Sequence, residues 1–366
     1  MSARISPLFD ALLAERGSDL HLSIGYPPLG RIRGKLTPLR EAPLTASEVE
    51  AMLLELATPE QKLQITEELD LDFSYTYGTK ARFRANYFYK TTGLAAVFRC
   101  IPSKVQSLEE LSAPEVMRRL ADRRSGLVLV VGPAGSGKST TLAAMLHHIN
   151  QNRHASLLTI EEPVEFVHEP AMAQVTHREI GPHAPSFAVA LRSAGREDAN
   201  VVLVGELNTP EALKQALQLA SSGVLVLASM YALSAQAALE RILHAFPEEE
   251  QAQIRGMLAD SLAGLLFQQL VRASDSPGRV LALEVLLGGG TVAATLRQGQ
   301  LSQLGGLMQA GQAQGMQTLD QHLEQLVSAS KVTPEAALEK AHDREAFART
   351  LQRLLPNFEL PEDVRT

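Results

Sequence analysis

The sequence predicts an α/β protein, with a small α+β domain ahead of a larger domain built on a parallel sheet. Three observations carry that prediction. From Gly126 onward, short apolar stretches alternate with helical ones, the signature of strand–helix–strand units. The runs VLVV, VVLV and VLVL in those stretches are apolar at every position, as strands covered on both faces must be. Before Gly126, residues 18–101 contain stretches that alternate polar and apolar, which suits strands with one buried face. The expected division is 1–104 for the first domain, 105–124 for a connector, 125–290 for the core of the second domain and 291–366 for a C-terminal helical region.

Each element has a local reason. Residues 5–16 place Ile5, Leu8, Phe9, Leu12 and Leu13 on one helical face. Ser18–Ser23 alternates as a half-buried strand. After a turn at Gly25–Pro28, Leu29–Leu39 is expected as one returning strand with Arg31, Arg33 and Lys35 on one side. Thr45 opens a helix, and Glu48 three residues on completes a capping box. A second helix follows Thr58-Pro59. Strands at Leu71–Tyr77, Ala81–Tyr89 and Gly93–Ile101 close the domain near Ile101-Pro102. Ser107–Arg124 is a connector whose Pro114 sits near the first turn of a helix. The parallel sheet is expected from Gly126–Val131, Ser156–Glu161, Val201–Val204, Gly223–Ala228 and Arg279–Leu287. Helices are expected at Val292–Arg297, Leu301–Ala310, Leu319–Ser328 and Pro334–His342. The tail from Pro356 has too little periodicity to order itself.

Gly132–Ser139 reads GPAGSGKS, the GxxxxGK[ST] spacing of a phosphate-binding loop. An apolar strand leads in, and a helix opened by Lys138, Ser139 and Thr140 leads out. Gly132, Pro133, Ala134, Gly135, Ser136 and Gly137 form the loop itself. Its glycines let the backbone fold tightly enough for N–H groups to face phosphates. The helix N-terminus adds a positive dipole end. Lys138 supplies charge for the β- and γ-phosphates, and the Ser139 hydroxyl can ligate Mg²⁺. The alternative, a purely structural strand–turn–helix, does not require this spacing.

Net charge is −7 and the isoelectric point about 5.9, which gives no overall electrostatic reason to bind nucleic acid. The single cysteine, Cys100, excludes an internal disulfide and fits a reducing compartment. The first twenty residues lack the apolar core of a signal peptide. Gln215–Leu239 carries no charge, but its glutamines and serines make it a buried helix, strand and turn rather than a span. Membrane contact is therefore expected to be peripheral.

A nucleotide hydrolase also needs a carboxylate for water, a Mg²⁺ partner and cations for the transferred phosphoryl group. Acidic residues at strand ends beside the P-loop strand are the candidates. One set is Glu161, Glu162 and Glu165, with Pro163 turning the chain; the other is Glu206, ending an apolar strand after Gly205. The bland alternative is ordinary solvated strand ends. Arg192 and Arg196 are four apart and are expected to share one helix face, unless they simply pair with Glu197 or Asp198. Arg82, Arg84 and Arg99 lie on strands of the first domain, from which a phosphate is most easily reached across a subunit boundary. The ten histidines lack metal-ligand spacing.

These motifs together resemble the PilT/PilU retraction ATPases of type IV pilus machines, within the secretion ATPases. The P-loop, LLTIEEPVEFVHE, VTHREIG, SFAVALR, VVLVGE and GMQTLDQHLEQL appear in order, and the likeness runs from Ser18 to about Leu338. The resemblance implies a PAS-like first domain, a RecA-like second domain and a homohexameric ring with ATP and Mg²⁺ between subunits. It implies that Glu165 is the general base and that Glu206 is the Walker B glutamate serving the metal with Ser139. It implies phosphate-directed arginines at Arg192 and Arg196, and trans-acting ones at Arg84 and Arg99. It also implies a cytoplasmic place at the inner membrane, with a pilus platform protein as partner.

The departures are specific. Glu162 stands where the family has Asp. Leu207-Asn208-Thr209 lacks the arginine that follows Walker B. Tyr231 replaces the histidine expected to sense the γ-phosphate, with no nearby cation to compensate. GELNT is closer to the PilU-type motif, which points to a divergent accessory paralogue. The readings are a retraction motor, a weakly hydrolysing ring supporting an active paralogue, or a secretion or assembly ATPase. The last is disfavoured by the lack of a four-cysteine site and of a long segment before the first domain.

Overall fold

Aromatic packing organises the first unit. The computed structural model describes residues 3–32, 34–101, 105–275, 278–356 and 358. The chain divides into two compact units, Met1–Lys104 with Glu165–Val167, and Val105–Val164 with His168–Thr366. In the first, α1 (Ser6–Ala14) precedes β1 (Asp19–Ser23), β2 (Leu29–Ile32) and β3 (Lys35–Pro38). Then come α2 (Ala46–Leu56), α3 (Pro59–Glu68), β4 (Asp70–Tyr77), β5 (Ala81–Lys90) and β6 (Gly93–Ile101). Among the described residues, the strand order is β3-β2-β1-β6-β5-β4, and every pairing is antiparallel. Phe9 on α1 stacks on Phe83 at 4.2 Å and meets Phe98 edge-on at 5.1 Å. Such pairs add about 1 kcal/mol each beyond their burial. The expected capping box of Thr45 with Glu48 forms, and the structure adds a second, Thr58 with Gln61.

The expected single strand Leu29–Leu39 is a hairpin, because the chain reverses at Gly34, whose carbonyl accepts from Arg31 Nη1 at 3.1 Å. The reversal removes the common side proposed for Arg31 and Lys35. Arg33, the domain end at Pro102–Lys104 and the tail beyond Phe358 lie outside the described residues.

The second unit begins with α4 (Glu115–Ala121), β7 (Gly126–Val131), α5 (Lys138–Asn152), β8 (Ser156–Glu161), β9 (Gln174–Glu179) and α6 (Phe187–Ala194). It continues with β10 (Val201–Val204), α7 (Pro210–Ser221), β11 (Leu225–Met230), α8 (Ala235–His244), α9 (Glu248–Ser261), β12 (Leu262–Arg272) and β13 (Arg279–Leu287). Among the described residues, five α-helices follow: α10 (Gly290–Gln298), α11 (Leu304–Ala310), α12 (Leu319–Ser328), α13 (Pro334–Lys340) and α14 (Arg344–Leu354). Among the described residues, the sheet order is β13-β12-β7-β11-β10-β8-β9. Alternate residues of β7 enter different cores: Leu127, Leu129 and Val131 on one face, Val128 and Val130 on the other. Burying each stabilises by about 2 kcal/mol, which is why these strands read as unbroken apolar runs.

Arg279–Leu287 is antiparallel, not parallel, because it returns from β12 in a hairpin. No expectation covered β12 or β9. The sequence of β12 follows α9 without a breaker, so an apolar run there reads equally as helix. The strand expected at Gly223–Ala228 is displaced to Leu225–Met230, and Leu301–Ala310 is a short 3-10 turn followed by α11. The helix expected to reach His342 ends at Lys340, and α14 was not anticipated.

Candidate nucleotide site

The P-loop occupies the turn between β7 and α5. At Gly132 a Cβ would stand 2.4 Å from the Gln268 carbonyl oxygen, so only glycine fits. Gly137 caps α5 at φ 87°, a left-handed conformation that glycine adopts without cost. Lys138 Nζ donates to the carbonyls of Gly132 and Pro133, each at 3.0 Å, which holds the ammonium over the loop. Pro133, Lys138, Ser139 and Thr140 are half-buried; Ala134 and Gly135 are exposed. Ser136 Oγ is buried with no hydrogen-bond partner. An orphaned hydroxyl inside a glycine-lined turn at a helix N-terminus fits an anionic group such as phosphate.

A residue that the sequence reading missed pins this loop. Gln268 on β12 is 1% exposed. Its Nε2 donates to the Ser136 carbonyl at 2.6 Å, and its Oε1 accepts from Thr141 Oγ1 at 2.9 Å. Both ends of one buried amide are thus spent on the P-loop and the first turn of α5. Two glutamines inside the apolar run LLFQQLV were the only available signal.

The acidic candidates lie farther from β7 than expected. The immediate neighbours of β7 are β11 and β12. Glu206 follows β10, one strand beyond β11, and Glu161 ends β8, one further. The buried run of β11 takes the place beside β7. Gly205 allows β10 and β8 to close up, since a Cβ there would lie 3.3 Å from Glu161 Cα. The Leu207 N–H donates to the Ser229 carbonyl at 2.8 Å, tying the segment after Glu206 to β11. Glu206 is exposed and Glu161 is 7% exposed.

Glu165 does not end a strand. It lies beyond the cis Glu162-Pro163 peptide and is half-buried. The carboxylate of Glu179 fixes the preceding turn by accepting the Val164 N–H at 3.0 Å. Glu165–Val167 belong to the first unit, as do Arg84 and Arg99.

Arg192 and Arg196 do not share a helix face. The helix α6 stops at Ala194, where Gly195 caps it, and Arg196 lies beyond; both arginines are exposed. Glu197 pairs instead with Arg178 at 2.6 Å, reinforced by the Ser193 hydroxyl at 2.8 Å.

In the first unit, Arg84 and Arg99 are directly opposite on β5 and β6. Each has its own carboxylate, which offsets their repulsion. Arg84 grips Asp72 through Nε at 2.9 Å and Nη2 at 2.5 Å, and Arg99 Nε donates to Asp19 at 2.9 Å. Burial alone would raise the Asp19 carboxyl, but the Ser18 hydroxyl and the Arg99 guanidinium hold it below the usual range. The Arg99 side chain stays 72% exposed.

Tyr231 follows β11, whose Met230 is the register partner of Val131. It is 43% exposed, so it is no core aromatic under Leu233, which is itself 59% exposed. The expected lack of a compensating cation is corrected. Arg241 on α8 lies 5.9 Å from the Tyr231 ring centroid, and its Nη1 donates to the Tyr231 carbonyl at 3.1 Å. Ten residues of separation hid this pair, because the turn of loop into helix, not spacing, brings them together.

Comparison with known proteins agrees with the fold. Residues 39–353 match the family model described as Type II/IV secretion system protein. The chain is 42% identical to the type IV pilus retraction ATPase PilT of Pseudomonas aeruginosa, over 92% of this chain and 98% of that one. It is 36% identical to the type IV pilus ATPase PilU of the same organism, over 91% and 87%. Whole-chain identity is thus greater to PilT than to PilU, whereas the motif after Glu206 is closer to the PilU type. A crystal structure of the pilus retraction motor PilT with bound ADP superposes with a TM-score of 0.87 at 34% identity, covering 95% of this chain and all of that one. With its P-loop, sheet and order of motifs, the chain belongs to the type II/IV secretion system protein family.

Proposed function

We propose that this chain is an ATPase of type IV pilus retraction, coupling ATP hydrolysis to pilus disassembly. The carrying observation is a P-loop pinned by Gln268 at the end of β7, in a chain 42% identical to a PilT retraction ATPase. It works as a homohexamer, in the cytoplasm at the inner membrane, on a platform protein and beside a paralogous retraction ATPase. No helix among the described residues is long and apolar enough to cross a membrane. The working divisions are 1–104, 105–124, 125–290 and 291–366.

Gly132–Gly137 and Lys138 hold the phosphates. Ser139 and, through water, Glu206 would hold Mg²⁺, which neutralises phosphate charge when bound; such an ion keeps several waters and needs no all-protein cage. Glu165 takes the proton of the attacking water. Arg192 and Arg196 meet phosphate charge within the subunit. Arg84 and Arg99 serve a neighbour's nucleotide, where phosphate must compete with Asp72 and Asp19. Arg99 is the freer of the two.

Glu165→Gln tests the mechanism. It should leave ATP affinity unchanged and lower kcat about a hundredfold, the scale of a general base. Turnover at the parent rate would reassign the base.

The weaker-hydrolysis reading has its own observation, Tyr231 in place of histidine. A neutral phenol gives a weaker bond to phosphate than an imidazolium. Tyr231→His combined with Asn208→Arg is expected to raise turnover about fivefold, the value of about 1 kcal/mol. A fast parent rate that the double change leaves flat would remove that reading and keep the motor.

A further inference from the structure

Three side chains hold the loop after β11. Arg241 takes the Tyr231 carbonyl. His342 Nε2 lies 3.1 Å from the Leu233 carbonyl. Glu284 Oε1 accepts the Ala235 N–H at 2.9 Å, and Glu284 Oε2 lies 3.4 Å from His342 Nδ1. A carbonyl can only accept, so Nε2 carries the hydrogen that points at Leu233. The loop adjoins the nucleotide end of the sheet: the Gly132 N–H donates to the Met230 carbonyl at 3.3 Å.

His342 comes from the C-terminal helices, in the bend between α13 and α14, 109 residues beyond Leu233. Its backbone is anchored there. The N–H groups of His342 and Asp343 donate to the two carboxylate oxygens of Asp320 on α12, at 2.8 and 3.2 Å. Its ring packs 5.2 Å from that of Phe267, the residue before Gln268 and the register partner of Val131. Glu284 is 3% exposed, so its contacts to Ala235 and His342 are made away from water. One imidazole thus touches the loop after β11, the buried carboxylate that caps α8, and the strand that pins the P-loop.

We propose that His342 is a positioning residue for the nucleotide site: through Leu233 and Glu284 it ties α12–α14 to the Tyr231 loop, so that the loop's response to nucleotide depends on the C-terminal helices. This rests on the reading of the Tyr231 loop as responsive to the γ-phosphate. The link is two-way. Whatever displaces α12–α14 also displaces Leu233, and a loop moved by nucleotide pulls on His342.

The chain has no tryptophan, so Leu233→Trp introduces a single reporter at an exposed position and leaves the Leu233 backbone carbonyl in place. In that background His342→Leu removes the donor, and His342→Gln restores one, since its amide can reach the same carbonyl. Tryptophan emission and quenching are followed on adding ATPγS to the full chain, with kcat and KM for ATP measured alongside. The reporter alone should respond to ATPγS. His342→Leu should lose most of that response and lower kcat about fivefold, with KM within about twofold, as the loss of one hydrogen bond predicts. His342→Gln should recover both. If His342→Leu does not fold, Asp320→Asn, which loosens the anchor and spares the ring, should shift the response and kcat the same way. An equal response and kcat in the His342→Leu or Asp320→Asn protein overturns the coupling alone. A silent reporter in a protein that binds ATPγS overturns the γ-phosphate reading of the loop, and the coupling with it.

Discussion

Lys138→Ala is expected to weaken binding of an ATP analogue about a thousandfold and to leave the fold intact. The Lys138 ammonium already stands over the loop, donating to two of its carbonyls at 3.0 Å. Little side-chain entropy is therefore lost when it turns to phosphate. Two charge-assisted hydrogen bonds to phosphate contribute about 4 kcal/mol, which is close to three decades in Kd. The fold should survive, because Gln268 and the buried β7 strand, rather than the lysine, hold the loop. Calorimetric titration gives the affinity, and far-UV circular dichroism the fold. An unchanged Kd would mean that the backbone N–H groups bind the nucleotide alone.

Acid is expected to destabilise the protein between pH 6.5 and 4, before most carboxylates protonate. Two histidines are responsible. Burial, followed by repulsion from His177 and His147, lowers His168 from 6.5 to about 4. Burial, followed by Lys331, lowers His322 to about 4. His322 Nδ1 must stay bare to accept the Leu283 N–H at 2.9 Å. His168 is 5% exposed, and its Nδ1 is buried without a partner, so a proton there would gain nothing to offset its desolvation. Both folded values lie below the unfolded one, so the unfolded chain binds more protons throughout this window. Stability is therefore present above pH 6.5 and lost as pH falls toward 4. Each histidine contributes about 3 kcal/mol over the full window, and the pair about 4 kcal/mol by pH 5. That approaches the whole stability of a typical domain. Glu284, raised by burial, opposes the trend in part. Asp19 and Glu48 are depressed and act mainly at lower pH. Urea unfolding at pH 7 and pH 5 measures the difference. A flat profile would show that both imidazoles are hydrated.

How much was readable follows from the range of the interactions involved. The P-loop, the Thr45 capping box and the apolar strands beside the P-loop were legible because each is local. Eight consecutive residues encode a phosphate turn, Thr45 and Glu48 cap a helix within one turn, and a doubly covered strand must be apolar throughout. The order of motifs carried the family. The four-residue spacing of Arg192 and Arg196 suggested one helix face, and only the structure shows α6 stopping short of Arg196. The tertiary structure alone placed β11 between the P-loop strand and the strand before Glu206, since strand order depends on crossovers that leave no local trace. It also decided the contacts that act on the site from a distance. Gln268 reaches the P-loop across 132 residues, His342 reaches Leu233 across 109, and Arg241 turns back over Tyr231. Each of these side chains looks ordinary in its own stretch. Its partner is fixed by sheet register and by the packing of α8 and the C-terminal helices, which no window of neighbouring residues contains.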